Sequence, residues 1–370
     1  MGSPRNGFTI GVEEEYQIVD ARTGELRSRS GEVIPYVKRS VGDDVQPELY
    51  QSQMEIGTSV CETLSEVREE LVRLRRQILA GANDHGHSIA AAGTHPFSHW
   101  REQEVTPKDR YRRLQASFQQ LAREQIIFGC HVHIGMSDRN AAIKTMARAR
   151  LWLAPLVALT ANSPYWLGED SGYASFGREM WRRWPLAGIP PELASERQYD
   201  ELVDSLVEIE IIKDATKIYW DIRPSTRFET LEFRATDVCM TVDEAVMLAG
   251  LVRALTRACH RESQESKPPP SVPYEILVAA NWRATRDGLE GRLVDMDLNE
   301  LVPAKHAVYK LLEFVRSDLE DADEWEQVND SVYRVLTEGN GAMRQRKIFE
   351  ETGNIRDVVG YIARETAKSL

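Results

Sequence analysis

Four short segments of this sequence place ionisable side chains where they could act together. In the run from Gly11 to Glu15, the period of two of an extended chain puts Glu13 and Glu15 on one face and Glu14 on the other, beside Ile10 and Val12. Two carboxylates that close repel unless a cation or water lies between them. In the run from Gly129 to Gly135, His131 and His133 share a face, while Cys130, Val132 and Ile134 share the opposite one. Two imidazoles spaced in this way converge on one point, a common arrangement for metal ligation. In the run from Thr230 to Arg234, Glu232 and Arg234 share a polar face opposite Leu231 and Phe233. Between Gln46 and Glu55, Glu48 and Glu55 face the same way if the chain turns near Tyr50 to Gln53. Arg223 and Arg227 lie either side of Pro224, and guanidinium forks suit phosphate oxygens, which they bond bidentately.

Each segment also has a plainer reading. Glu13 and Glu15 could be a solvated acidic face, and Glu48 and Glu55 part of a surface hairpin. His131 and His133 could be one buried histidine and a chance neighbour, and Glu232 with Arg234 a structural ion pair. The segments nevertheless repeat one design, an apolar face backed by a face of Glu, His or Arg. If the apolar faces rest on helices, the polar faces line one cavity. A cavity with four or more carboxylates and a histidine must hold cations or keep many groups neutral. Carboxylate-rich ligation without thiolates favours Mg²⁺ or Mn²⁺ over zinc. Mg²⁺ together with arginines implies a nucleoside triphosphate, and no Walker-type phosphate loop is present to hold it.

The elements that must position these residues follow from periodicity. Alternation predicts strands over Phe8 to Val19, Val45 to Tyr50, Gln53 to Thr58, Ser88 to Ala92, Ile127 to Gly135, Ile218 to Ile222 and Thr230 to Ala235. A helical stripe of Leu64, Val67, Leu71, Leu74 and Ile78 predicts a helix from Thr63 to about Ala80, opened by a Thr63–Glu66 capping box and ended by Gly81. Thr241 with Glu244 opens a second helix, carrying Val246, Leu248, Leu251, Val252 and Leu255. Leu151 to Ala161 reads as a buried helix. Further helices are expected near Tyr274–Asp287, Asn299–Ser317, Glu324–Leu336 and Ile355–Ser369. The fold class is α+β, mainly antiparallel strands with helices on one side. The proline-rich stretch from Ser266 to Pro273 separates a mixed part, about 1–265, from a helical part, about 274–370, within an expected single domain.

The net charge of −12 argues against nucleic-acid or anionic-membrane partners. No apolar run approaches the ~20 residues a membrane helix needs. Residues 1–8 contain no apolar signal region. Cys61, Cys130, Cys239 and Cys259 form no CxxC pair, which fits reduced thiols in a cytosol.

Six pieces of sequence, GVEEEYQIVD, QPELYQSQMEIGTSVC, GCHVHIGM, ANSPYW, TLEFRATDVC and NWRATRDGLEG, occur in order from residue 11 to about residue 291. In these the chain resembles the glutamate–cysteine ligase type 2 family of bacterial carboxylate-amine ligases, related in fold to glutamine synthetase. The resemblance implies a curved antiparallel sheet with a polar active face, as in the glutamine synthetase/guanido kinase-like catalytic fold. It also implies ATP, two or more Mg²⁺ or Mn²⁺ ions, and amide formation through an acyl phosphate, with weak glutamate–cysteine ligase activity. Carried over residue by residue, Glu13, His131 and Glu232 would serve the metal nearer the γ-phosphate. Glu15, Glu48 and Glu55 would serve the metal nearer the substrates, with Glu55 also counted as catalytic. Arg234 looks like a contact to the carboxylate or its phosphate, Arg223 and Arg227 look like nucleotide phosphate contacts, and Arg234 and Arg223 are counted as catalytic with Glu55. His133 stands where relatives carry histidine or asparagine and reads as a substrate or supporting residue; Glu14 is not expected to be a ligand. The substrates implied are glutamate and cysteine or analogues, and a cytoplasmic homodimer is expected. Specificity is expected in loops such as Gly168 to Ala194. A metal-dependent phosphohydrolase and a non-catalytic nucleotide or amino-acid sensor are the competing readings. Dependence of ADP release on an amine separates the first from a ligase, and loss of ligands would mark the second.

Overall fold

The computed structural model describes residues 7–265, 268, 270–368 and 370. Its centre is a seven-stranded antiparallel sheet of β1 (Ile10–Asp20), β2 (Val45–Pro47), β3 (Gln53–Gly57), β4 (His87–Ala90), β5 (Gly129–Gly135), β6 (Ile222–Pro224) and β7 (Thr230–Asp237). The strand order is β6-β7-β5-β1-β3-β2, and β4 pairs with the far end of β1 on the edge that β5 occupies earlier. This is the open antiparallel α+β arrangement expected from the alternating segments.

The alternation explains which face is buried. Val12, Tyr16, Met54, Ile56, Val132, Ile134, Leu231 and Phe233 are all buried. The helices Leu64–Asn83 and Val242–Gln264 supply the stripes that were read from the sequence, Leu71, Leu74 and Ile78 from one and Leu248, Leu251 and Leu255 from the other. Thr241 and Glu244 form a reciprocal capping box. The helix at Leu64 has only half of one: Thr63 accepts from the Glu66 N–H, while the Glu66 carboxylate accepts from Glu62 N. One hydrophobic cluster runs from Ile10 to Ile362, so the C-terminal helices share the core of the sheet region. Polar ties reinforce it, with Glu324 accepting from Leu64 N at 3.2 Å and Thr366 Oγ1 from Ala91 N at 2.9 Å.

Several boundaries differ from expectation, each for a local reason. Gly81 does not end its helix, which continues to Asn83; a Cβ there would lie 2.4 Å from Val37 Cγ2, so glycine lets the helix Ser30–Val41 approach. The expected strand over Val45 to Tyr50 stops at Pro47, which has no N–H to offer the ladder. That over Ile218 to Ile222 is interrupted at Asp221, leaving Tyr219–Trp220 paired with Ala187–Gly188. The segment Asn299–Ser317 begins as the strand Glu300–Pro303, paired with Arg292–Asp295, and becomes helical only at Ala304. Pro303 enforces this, because the residue before a proline is driven to extended conformations. The buried helix expected over Leu151 to Ala161 spans Leu153–Thr160, with Pro155 tolerated in its first turn. Of the proline-rich stretch, residues 266, 267 and 269 lie outside the described residues, as does Ser369 at the end of the last expected helix. Among the described residues, no helix is long and apolar enough to cross a membrane.

Candidate active site

The register of the sheet decides which polar residues meet. Glu13 stands opposite His131 across β1 and β5, and Glu15 opposite Glu55 across β1 and β3. Glu232 lies between His133 on β5 and Arg223 on β6. Pairing of β7 with β5 is interrupted between Phe233 and Thr236, a bulge that leaves Arg234 without a β5 partner. The Arg234 N–H is instead satisfied by the Asp221 carbonyl at 2.7 Å, and its side chain still reaches Glu232 on the polar face.

These side chains line one cavity of about 450 Å³. All ten residues singled out from the sequence are in its wall: Glu13, Glu15, Glu48, Glu55, His131, His133, Arg223, Arg227, Glu232 and Arg234. The cavity has two electrostatically different halves. In the first, Glu232 is ion-paired with Arg234 and with Arg223 at 2.8 Å. Burial pushes the Glu232 carboxyl up, but Arg234 and Arg223 outweigh it and hold the group below the usual carboxylate range. Burial likewise opposes ionisation of Glu13, and the neighbouring His131 and His133 imidazoles overcome it, leaving its carboxyl well below the usual range. His131 Nδ1 lies 3.2 Å from Glu13 Oε2; burial and Arg234 hold its pKa down. His133 is raised, because Glu13 and Glu232 outweigh its burial.

In the second half, like charges meet with little to offset them. Burial and then the neighbouring Glu48 push Glu15 up to about 8, even though Gly129 N–H donates to it at 2.9 Å. Glu55 is raised well above its ordinary value by burial and by Glu48, Glu13 and Glu15. Glu48 is raised by burial, against the pull of Arg110. At neutral pH this half holds protons or attracts cations.

The donor set fits divalent metal. Oxygen atoms of Glu13 and Glu232 and a ring nitrogen of His133 all lie within 4.8 Å of one another. His133 Nδ1 is engaged by Thr230 Oγ1 at 3.0 Å, whereas its buried Nε2 makes no hydrogen bond and lies 3.5 Å from Glu13 Oε1 and 3.9 Å from Glu232 Oε1. A buried ring nitrogen aimed at two carboxylates is what an ion would satisfy. By these distances, His133 reaches both carboxylates, while the resemblance gives the ligand role to His131.

Residues 9–361 match the model of glutamate-cysteine ligase family 2. The chain belongs to that family. Curated relatives provisionally named glutamate–cysteine ligase 2 include one from Solibacter usitatus, 38% identical with 100% of this chain and 96% of that protein aligned. Another, from Rhodopirellula baltica, is 40% identical over 98% of this chain and 97% of that protein. Among solved structures, the glutamate–cysteine ligase of Francisella tularensis in complex with AMP superposes with a TM-score of 0.70 at 13% identity, covering 98% of this chain and 88% of that one. A bifunctional glutathione synthetase from Pasteurella multocida also gives 0.70, at 15% identity, with 98% of this chain covering 52% of that one. At such identities the likeness is one of fold.

The family's sheet thus brings together every residue expected at the site, and it adds others. Arg110 and Tyr111 come from the helix Asp109–Phe118, and Trp181 from the helix Phe176–Arg182 within the loop Gly168 to Ala194. Trp184, Tyr219, Lys217 and Gln125 complete the same wall. Trp184 Nε1 donates to Gln125 Oε1, and the Arg234 guanidinium carbon lies 5.8 Å from the Trp181 ring centre. The only warning in the sequence was the richness of 168–194 in Gly, Trp, Arg and Pro. Nothing of the kind marked Arg110.

Proposed function

We propose that this protein is an ATP-dependent ligase that joins a carboxylate to an amine, with glutamate and cysteine or their analogues as substrates. The observation that carries the reading is the crowding of Glu15, Glu48 and Glu55 beside the ordered Glu13–Glu232–histidine cluster in one cavity. Family membership supports the reaction class.

Two divalent ions suit these donors. One would be held by Glu13 and Glu232 with nitrogen from the His131–His133 pair, the other by Glu15, Glu48 and Glu55. Oxygen-rich ligation without thiolate suits Mg²⁺ or Mn²⁺. When bound, such ions would offset charge on the phosphoryl group in transfer and orient the carboxylate.

The chain's own residues do the rest. Glu232 holds the Arg223 and Arg234 guanidiniums in fixed orientation, and the Ile218 carbonyl also accepts from Arg223 Nη1 at 2.6 Å, so the Nη2 groups are what the pair can turn to phosphate or carboxylate oxygens. Arg227, exposed on the turn between β6 and β7, has no ion pair among the described residues and is available to a nucleotide phosphate. In the proposed reaction a carboxylate oxygen attacks the γ-phosphorus of ATP, and ADP leaves with the broken P–O bond. The amine nitrogen then attacks the acyl carbon, phosphate leaves, and the nitrogen gives up a proton. The proposal also has the chain acting as a single domain, as a cytosolic homodimer. The shared core and the four buried, unpaired cysteines support the first and the cytosolic part of this.

The test is ADP release with purified protein, Mg²⁺ and amino-acid pairs. ADP should appear only when carboxylate and amine are both present, with one amide formed per ADP. Equal ADP release without any amine would replace the ligase with a phosphohydrolase. Binding without ADP release by any pair would replace it with a sensor.

A further inference from the structure

The cations in the cavity are not equivalent. Arg223 and Arg234 are held by Glu232, and Arg178 by Asp221 at 2.9 Å, all largely buried. Arg110 is different. Its side chain is 51% exposed, and its sole ion pair among the described residues is a long one, 3.6 Å to Glu48 Oε1. The guanidinium carbon lies 4.3 Å from the ring centre of Tyr111, whose hydroxyl donates to the Pro47 carbonyl at 2.8 Å. Tyr111 is buried and anchored, and Arg110 Nη2 donates to its hydroxyl, so it holds the Arg110 guanidinium in place.

Resting on the ligase reading above, which assigns Glu48 to a divalent ion, we propose that Arg110 is a specificity-determining residue that binds the free carboxylate of the amine substrate. An ion between Glu15, Glu48 and Glu55 competes for the Glu48 oxygen that Arg110 now faces. An exposed, long ion pair is easily exchanged. The released guanidinium stays in place on Tyr111, which docks on Pro47 of the edge strand β2, whereas Arg223 lies on β6 at the opposite edge of the sheet with Arg227 on the turn beyond it; it offers a planar fork that matches a carboxylate. Two anion sites at opposite ends, one for polyphosphate and one for a carboxylate, select an amine that carries its own carboxylate over a simple alkylamine.

The test compares L-cysteine with L-cysteinamide, which lacks the carboxylate. Binding is followed by calorimetry with Mg²⁺ and ADP present, and turnover by ADP release with L-glutamate. Wild-type protein should bind the acid about 10- to 100-fold more tightly than the amide, as expected for loss of a charged hydrogen-bonded contact. Arg110→Met should raise KM for cysteine by a similar factor while kcat moves less than about threefold, and should erase the preference. Arg110→Lys should restore part of it, and an unchanged melting temperature in both variants would show that the fold is intact. If Arg110→Met keeps the full preference, or if wild-type binding shows none, the proposal is overturned. If the preference is present and lost on substitution but no amide forms, Arg110 keeps its role and the ligase reading falls instead.

Discussion

Glu13, Glu14 and Glu15 are consecutive on β1, yet the two faces of the strand treat them in opposite ways. Glu14 points into the helical side, where it is fully buried against Arg75, itself fully buried. Arg75 Nε donates to Glu14 at 3.0 Å, its remaining N–H groups reach the carbonyls of Cys239 and Met240 at 3.0 and 3.1 Å, and Tyr16 donates to the same glutamate. Every charge there is answered from within the chain. On the other face, Glu15 and its neighbours Glu48 and Glu55 are answered only in part. On the proposed reading, the difference separates a carboxylate that holds the fold together from carboxylates that would bind an external cation. Removing a group from the first should cost stability, and removing one from the second should cost activity.

The largest expected effect is on the helical face. Arg75→Met leaves Glu14 buried without its partner and should lower the free energy of unfolding by about 3–5 kcal/mol, read by urea denaturation. A loss under about 1 kcal/mol would break the contrast. On the polar face, Glu55→Gln should slow ADP release about 10²–10³-fold, on the order of 3–4 kcal/mol of transition-state stabilisation. Its melting temperature without metal should hold or rise, because one repelling charge is gone. Turnover at the wild-type rate would remove Glu55 from the reaction.

pH sharpens the comparison further. Glu15 has a folded-state pKa of about 8, above the ~4.3 of an unfolded glutamate. A raised carboxyl contributes stability that is complete below the unfolded value and lost as pH rises through the folded one. Metal-free protein should therefore weaken between about pH 4.5 and 8, by on the order of 1–3 kcal/mol once partial exposure is allowed for. Glu55, shifted in the same direction, adds to the trend. Mg²⁺ should restore more stability at pH 8 than at pH 5, measured as the shift in melting temperature. The smallest effect is expected at an exposed pair on neither face, Arg29 with Glu32 at 2.9 Å. Glu32→Gln should change stability by less than about 0.5 kcal/mol and leave ADP release as it is.

What could be read from the sequence was set by periodicity. The alternation in β1, β5 and β7 announced which side chains share a face, and it excluded Glu14 from the polar one. Pairing between strands has no such local signature. That Glu15 faces Glu55, and that Glu232 lies between Arg223 and His133, depends on register between segments far apart in the chain. The H-x-H spacing puts both imidazoles on one face but does not say which one reaches Glu232. Arg110 was hidden because the short stripe of Tyr111, Leu114 and Phe118 marks at most a helix and does not say that the arginine beside its first tyrosine lines a cavity. Trp181 was hidden because a seven-residue helix leaves too short a pattern within a loop rich in Gly and Pro.

The central claim is that the polar face of this sheet is built to hold divalent ions. Anomalous diffraction from crystals grown with Mn²⁺ and ADP tests it most directly. Two anomalous peaks are expected inside the cavity, one among Glu13, Glu232 and the histidine pair, the other among Glu15, Glu48 and Glu55. A cavity without a peak, at Mn²⁺ concentrations that saturate any effect on melting temperature, would contradict the claim.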